Sequence, residues 1–205
     1  MKIVAIIIGI GEWKKYTAPL IISILKYQPD TRIVLVDNGN NYPEEFENVD
    51  IIKTYGILDY SAAINVGFAM LRDEEWVLII NNDVLCTAPF FDYIKGLKTN
   101  VVYGNNLHQD FKLFHHTTPF TDGWIMAMSR ELINSVGAFD TNFKIACAED
   151  ADYCFRAANL GYEVKKSSLP FKHLKAKTRR GFENFKQQRL DNIAYLVEKH
   201  RLKWK

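Results

Sequence analysis

Three oxygen-bearing side chains follow a run of residues that can only be interior. The chain reads WVLII at residues 76–80 and then Asn81, Asn82 and Asp83 in succession. A hard divalent cation such as Mg2+ or Mn2+ prefers oxygen ligands and often bridges few protein groups to phosphate oxygens, so a polar cluster at a strand tip suits one. The competing reading is a turn cap, because Asn and Asp readily hydrogen-bond their own backbone. A second cluster lies in CAEDADYCFRAANLGY, residues 147–162, where Glu149, Asp150 and Asp152 gather at an expected helix start with Arg156 one turn on. A helix amino terminus stabilises carboxylates through its dipole. Capping needs only one of them, and this segment offers three.

These groups must be positioned by regular elements. Residues 2–9, KIVAIIIG, form a continuous apolar run suited to a strand covered on both faces. A helix is expected from about Ala18, with Pro19 in its first turn and Leu20, Ile21, Ile24 and Leu25 at helical spacing. Strands follow at 32–37 (RIVLVD), from Asp50 (DIIKTY) and from Trp76, with a helix over 61–71. Such alternation implies an α/β fold with a mainly parallel central sheet flanked by helices. Ligands of these sheets collect at the carboxyl ends of the strands. Residues 9–12, Asp37 with Asn38, and residues 81–83 are polar strand ends of that kind, and together they make a candidate nucleotide pocket.

A dinucleotide-binding dehydrogenase is one reading, since Gly9-Ile10-Gly11 follows the first strand and Asp37 ends the second. Its fingerprint needs a third small residue where Lys14 stands, so the motif is incomplete. The other reading gives Asp37 to a nucleoside's base or ribose and Asp83 to a divalent cation.

The second half changes texture. Short strands are expected around 101–103, 111–114 and 124–128, helices near 88–97 and 130–136, and a further helix from Glu149 to Gly161, where glycine can supply a left-handed cap. YEVKKS reads as a strand and residues 183–200 as a long last helix. The whole, 1–205, reads as a single domain, with a nucleotide-type half over about 1–87, an acceptor-type half over about 88–174, and a basic loop and helix over about 175–205. Its 205 residues suffice for one full core. No apolar run approaches the ~20 residues of a membrane-spanning helix, and the start lacks a secretory leader. Cys86, Cys147 and Cys154 are odd in number and not paired as CxxC, which argues against a disulfide framework or structural zinc and suggests a cytoplasmic setting. From Lys165 onward there are 13 Lys and Arg against 3 Asp and Glu, so an acidic body carries a basic tail. That tail reads either as a solvated helical face or as a phosphate-facing surface.

The motifs in order resemble glycosyltransferase family 2, the inverting nucleotide-sugar enzymes with a GT-A fold. LVDNGN is similar to the family's base-binding strand end, AAINVGFAML to its donor-side helix, LIINNDV to its metal motif, and SRELINSVGAFDTNF followed by AEDADYCFRAANLGY to its acceptor-side signature. The resemblance runs from about residue 3 to 174. It implies that Gly9, Asp37, Asn38 and Asp59 lie at the nucleotide, that Asn65 supports the donor loop, and that Asp83 binds the cation with Asn81 or Asn82 orienting ribose, phosphate or water. His173 would complete the metal shell, and Asp150 would be the general base. Glu149 and Trp124 would face the acceptor, although Trp124 suits a core role as well. The first strand ends in Ile8-Gly9 rather than the family's polar pair, and Asp59-Tyr60 stands where glycine is common. Those departures bear on nucleotide identity.

The implied cofactor is Mn2+ or Mg2+, and the implied donor a nucleoside diphosphate sugar, UDP-linked by preference. Lys175, Lys177, Arg179 and Arg180 are placed to close over the phosphates. The hydroxyl acceptor is left as a saccharide, a lipid-linked glycan or a modified nucleic acid. A nucleotidyltransferase, and a non-catalytic module holding nucleic acid or an anionic membrane surface through the basic tail, are the alternatives.

Overall fold

The computed structural model describes residues 1–39, 42, 46–109, 114–175 and 184–205. Four strands build the first half: β1 (Ile3–Gly9), β2 (Arg32–Asp37), β3 (Val49–Lys53) and β4 (Trp76–Asn81). They run parallel in the order β4-β1-β2-β3. Every residue of β1 is buried, which is why its sequence is apolar throughout rather than alternating.

The pleat still sorts those side chains between two cores. Ile3, Ala5 and Ile7 pack with Ile33, Leu35, Leu78 and Ile80 beneath α1 (Ala18–Tyr27), which contributes Leu20, Ile21 and Ile24. Val4, Ile6 and Ile8 pack on the opposite face with α2 (Tyr60–Ala69), against Ala63 and Ile64. Each fully buried Ile or Leu stabilises the fold by about 1.5–3 kcal/mol relative to exposure. The approach of α2 to β1 is close: a Cβ on Gly67 would lie 2.4 Å from Ile6 Cγ2, so only glycine lets the two elements meet.

The second half extends the same sheet. It adds β5 (Val84–Cys86), α3 (Phe91–Lys95), β6 (Val101–Gly104), β7 (Leu107–His108), β8 (Phe114–His115), β9 (Phe120–Thr121) and β10 (Ile125–Ser129). After these come α4 (Arg130–Val136), α5 (Glu149–Asn159), β11 (Glu163–Lys166), β12 (Phe171–His173), α6 (Phe185–Lys199) and β13 (Lys203–Trp204). The seven-stranded sheet reads β11-β6-β10-β4-β1-β2-β3, and β10 runs antiparallel to both of its neighbours. Ser129 caps α4 by accepting the Leu132 N–H at 3.1 Å.

Several elements differ from the sequence reading. The helix expected over 88–97 is confined to Phe91–Lys95. The strand expected over 111–114 is seen only as Phe114–His115, since 111–113 lie outside the described residues. A five-residue π-helical turn, Trp13–Thr17, leads into α1 and was not anticipated.

The last helix is fastened to α5 through Asp152, which is fully buried. Its carboxylate accepts from Arg156 Nε at 2.9 Å and His200 Nε2 at 2.8 Å, and pairs with Lys199 Nζ at 2.7 Å. Burial pushes the Asp152 carboxyl up, but these donors outweigh it and hold the group below the usual carboxylate range. One of the three acidic residues at the start of α5 is therefore a structural anchor.

Candidate active site

Sheet register brings three polar strand ends together: Gly9 lies opposite Asp37, and Ile8 opposite Asn81. Beyond Asn81 the chain turns, and Asn82 is pinned. Its amide donates to the Ile10 carbonyl at 2.8 Å and Thr17 Oγ1 at 3.0 Å, tying the turn to the end of β1 and the π-helical turn. Asp83 follows, 5% exposed. Its backbone carbonyl accepts the Leu174 N–H at 2.8 Å, and β12 pairs antiparallel with β5 so that His173 lies opposite Val84. This folding places His173 Nε2 3.2 Å from Asp83 Oδ2.

That pair suits a divalent cation. Carboxylate and imidazole are both ligands of Mn2+, and carboxylate of Mg2+. Among the described residues no cluster of three or more His, Cys, Asp or Glu could hold an ion unaided. An ion at this pair would take its remaining ligands from phosphate oxygens and water, as Mg2+ commonly does.

Trp124 supports the same corner from below. Its carbonyl accepts the Asn81 N–H at 3.0 Å, and its ring stacks on His173 with centroids 4.9 Å apart and planes 7° from parallel. The imidazole covers one face of the indole and the residue is 8% exposed, in keeping with the core role that the sequence also allowed. The stack fixes the His173 ring. The buried indole N–H has no hydrogen-bond partner among the described residues, so a donor remains for a ligand oxygen.

Asp150 enters from α5. The turn before it is strained: Ile145 (φ 58°), Cys147 (φ 99°) and Ala148 (φ 72°) occupy the left-handed region without being glycine. Two residues hold it there. Asn192 of α6 accepts the Lys144 N–H at 3.0 Å and donates to the Lys144 and Cys147 carbonyls at 2.8 and 3.1 Å. Asp59, at the start of α2, accepts the Ile145 N–H at 2.6 Å and pairs with Lys144 at 3.3 Å. Strain of this kind persists only where the surroundings over-determine it.

The Asp150 carboxylate then accepts the Gly123 N–H at 2.9 Å and its neighbour's N–H, from Ala151, at 2.8 Å. Protein crowds it on most sides while part of its surface stays open. Desolvation pushes its pKa up to about 6, with Asp122 adding repulsion, against the lowering effect of the backbone donors. Glu149, beside it, is 5% exposed in the first turn of α5.

Tyr60, marked in the sequence only as a departure from a common glycine, links the two acidic centres. Its hydroxyl lies 2.6 Å from Asn81 Oδ1 and 3.0 Å from the Gly123 carbonyl, so one phenol spans from the end of β4 to the glycine whose N–H meets Asp150. Burial, followed by the charges of Glu149, Asp150 and Asp83, raises its pKa well above the ordinary phenol value. The phenol stays protonated and donating. Tyr60→Phe should therefore leave the fold intact at a cost of about 1–2 kcal/mol, and lower turnover more than nucleotide affinity. Kinetics with binding measured separately checks this, and equal losses in both would confine Tyr60 to a packing role.

Other expected residues prove to be struts. Asn38 makes two hydrogen bonds with the Leu58 backbone, at 3.0 and 2.7 Å, joining the end of β2 to the segment before α2. Asn65 does the same with Phe139, both at 2.8 Å, and so braces the segment after α4. Gly9 makes room for an aromatic: a Cβ there would sit 2.4 Å from Tyr42 Cε2. Asp37 is 1% exposed and accepts the Tyr42 N–H at 3.1 Å. Lys175 is exposed one residue beyond Leu174. Lys177, Arg179 and Arg180 lie outside the described residues.

No protein-family profile matches the chain, and no curated protein matches it by sequence. Solved structures do. GalNAc-T7 with UDP, GalNAc and Mn2+ superposes with a TM-score of 0.73 at 12% identity, over 96% of this chain and 47% of that one. The mannosyltransferase PcManGT from Pyrobaculum calidifontis, in complex with GDP-Man and Mn2+, gives 0.70 at 16% identity, over 97% of this chain and 64% of that one. The catalytic domain of Drosophila β1,4-galactosyltransferase 7, complexed with xylobiose, gives 0.58 at 16%, over 91% of this chain and 78% of that one. The fold is that of the GT-A glycosyltransferases. The chain spans about half of the first of these proteins and just under two thirds of the second.

Proposed function

We propose that the protein transfers a sugar from a nucleoside diphosphate sugar to a hydroxyl acceptor, with a divalent cation at Asp83 and His173 and with inversion at the anomeric carbon. The observation that carries this reading is the joining of Asp83 and Asp150 in one site, through the Tyr60 hydroxyl and through the Trp124–His173 stack. The nucleotides and Mn2+ bound by the structurally similar GalNAc-T7 and mannosyltransferase support it.

A cation held there would neutralise charge growing on the departing diphosphate. This chain's own part is to orient and to move a proton. Asp37 sits at the end of β2 for the base or ribose, Asn81 is assigned to the donor from the end of β4, on the other side of β1, and Lys175 adds positive charge for the phosphates. Arg179 is assigned with it. Asp150 takes the proton of the attacking hydroxyl, and a single displacement from the side opposite the leaving group inverts the centre. A pKa near 6 leaves it ionised at neutral pH yet more basic than a solvated carboxylate. Glu149 beside it is assigned to the acceptor, and UDP is the preferred nucleotide.

The test is a melting-temperature screen of nucleoside diphosphates and their sugars with and without Mn2+, followed by product analysis with the best donor. A Mn2+-dependent rise and release of nucleoside diphosphate are expected. Release of pyrophosphate would mean nucleotidyl transfer, and no response to any nucleotide would overturn the proposal.

A further inference from the structure

A cavity of about 470 Å3 opens at the far end of α5 from Asp150. Its lining includes Asn159, which at helical rise lies about 13–14 Å along the helix from Asp150. None of the residues assigned to sugar transfer lines it. The volume falls within the range of small-molecule sites.

Its walls are unlike those of the first site. The floor is aromatic: Phe155 meets the His116 ring at 5.5 Å and the His200 ring, edge-on, at 5.2 Å. The rim is basic, with His115, Arg201 and Lys203, and no carboxylate is among the described lining residues. Asp152, the acid bonded to the lining residue His200, is fully buried and already engaged by Arg156 and Lys199 as well. The positive charge around the opening is therefore not cancelled from within.

Two features of the chain put the basic groups there. Pairing of β13 with β8 sets Lys203 opposite His115. Arg201 ends α6 in the left-handed region at φ 51°, where the Arg201 N–H bonds the Glu198 carbonyl at 3.1 Å and the Leu202 N–H the Val197 carbonyl at 2.9 Å. Glycine is the favoured residue in this cap, and an arginine there costs stability. A strained basic residue on the rim of a basic cavity fits recruitment for binding.

We propose that this cavity binds a phosphate ester of small-molecule size, its phosphate at Arg201 and Lys203 and its organic part over the Phe155 floor. The site is independent of the sugar-transfer reading. The probes are inorganic phosphate and glucose 6-phosphate, titrated at constant pH and ionic strength while the imidazole NMR signals of His115, His116 and His200 are followed. Saturable shifts are expected, with a dissociation constant below about 1 mM for the ester. Tighter binding of the ester than of phosphate would assign part of the recognition to the aromatic floor. Equal binding would overturn that part of the proposal.

Arg201→Gly separates binding from folding, because it should raise or preserve the melting temperature while weakening the ester about tenfold. Lys203→Gln should weaken it without altering the helix cap. Asp83→Ala should leave these shifts unchanged, so a failed sugar-transfer reading would not be mistaken for a failed second site. Shifts that never saturate, or that persist at full affinity in Arg201→Gly, would overturn the proposal.

Discussion

Asp150→Asn should reduce sugar transfer by about 10²–10⁴-fold, the range for loss of a general base, while nucleotide affinity stays near that of the unaltered protein. The amide keeps the shape of the side chain and one of the two acceptors that meet the Gly123 and Ala151 N–H groups. It cannot take a proton. Turnover of the unaltered protein should rise as pH climbs through about 6, where Asp150 ionises, and the variant should lack that limb. The stability effect has a definite sign. A carboxyl whose folded pKa lies above its free value stabilises the fold at low pH, and that contribution is lost as pH rises from 3.8 through about 6. Above that window the amide escapes the cost of a desolvated charge, which offsets the N–H group it leaves poorly met. Melting temperatures of the two proteins should therefore stay close at alkaline pH. A variant that lost binding and turnover equally would show Asp150 to be a structural residue.

Asp83→Ala is expected to act on binding first. Mn2+-dependent nucleotide affinity should fall by at least about tenfold, or ~1.4 kcal/mol, and turnover should fall with it. Local structure should survive, because the contact that fastens β12 to the strand tip runs from the Leu174 N–H to the Asp83 backbone carbonyl and not to its side chain. His173 would keep its stack on Trp124 and lose only its carboxylate partner. Titration of Mn2+ at fixed nucleotide measures the effect. Unchanged metal dependence would remove Asp83 from the site.

Three of the sheet's parallel strands, β1, β2 and β4, were legible because their side chains have almost no polar face to alternate with. KIVAIIIG, RIVLVD and WVLII are buried almost throughout, so continuous apolar runs marked them, and RIVLVD coincides with β2. The two- and three-residue strands β5, β7, β9, β12 and β13 were not, since so few residues establish no period. Asp83, His173 and Asp150 were singled out by residue type and by the family resemblance, and the structure places the first two in contact. The bridging role of Tyr60 was invisible because it depends on two partners, Asn81 and Gly123, that lie 21 and 63 residues away. The hydrogen bonds of Asn38, Asn65 and Asn82 to distant segments were equally hidden, because an amide that braces a backbone turn carries the same letter as one that holds a ribose.

Asn192 of α6 grips the contorted turn that delivers Asp150. The ribosome makes α6 after every strand of the seven-stranded sheet. A nascent chain with that sheet complete would still lack the clasp that aims its acid, and so reactivity should switch on only when the trailing helix docks.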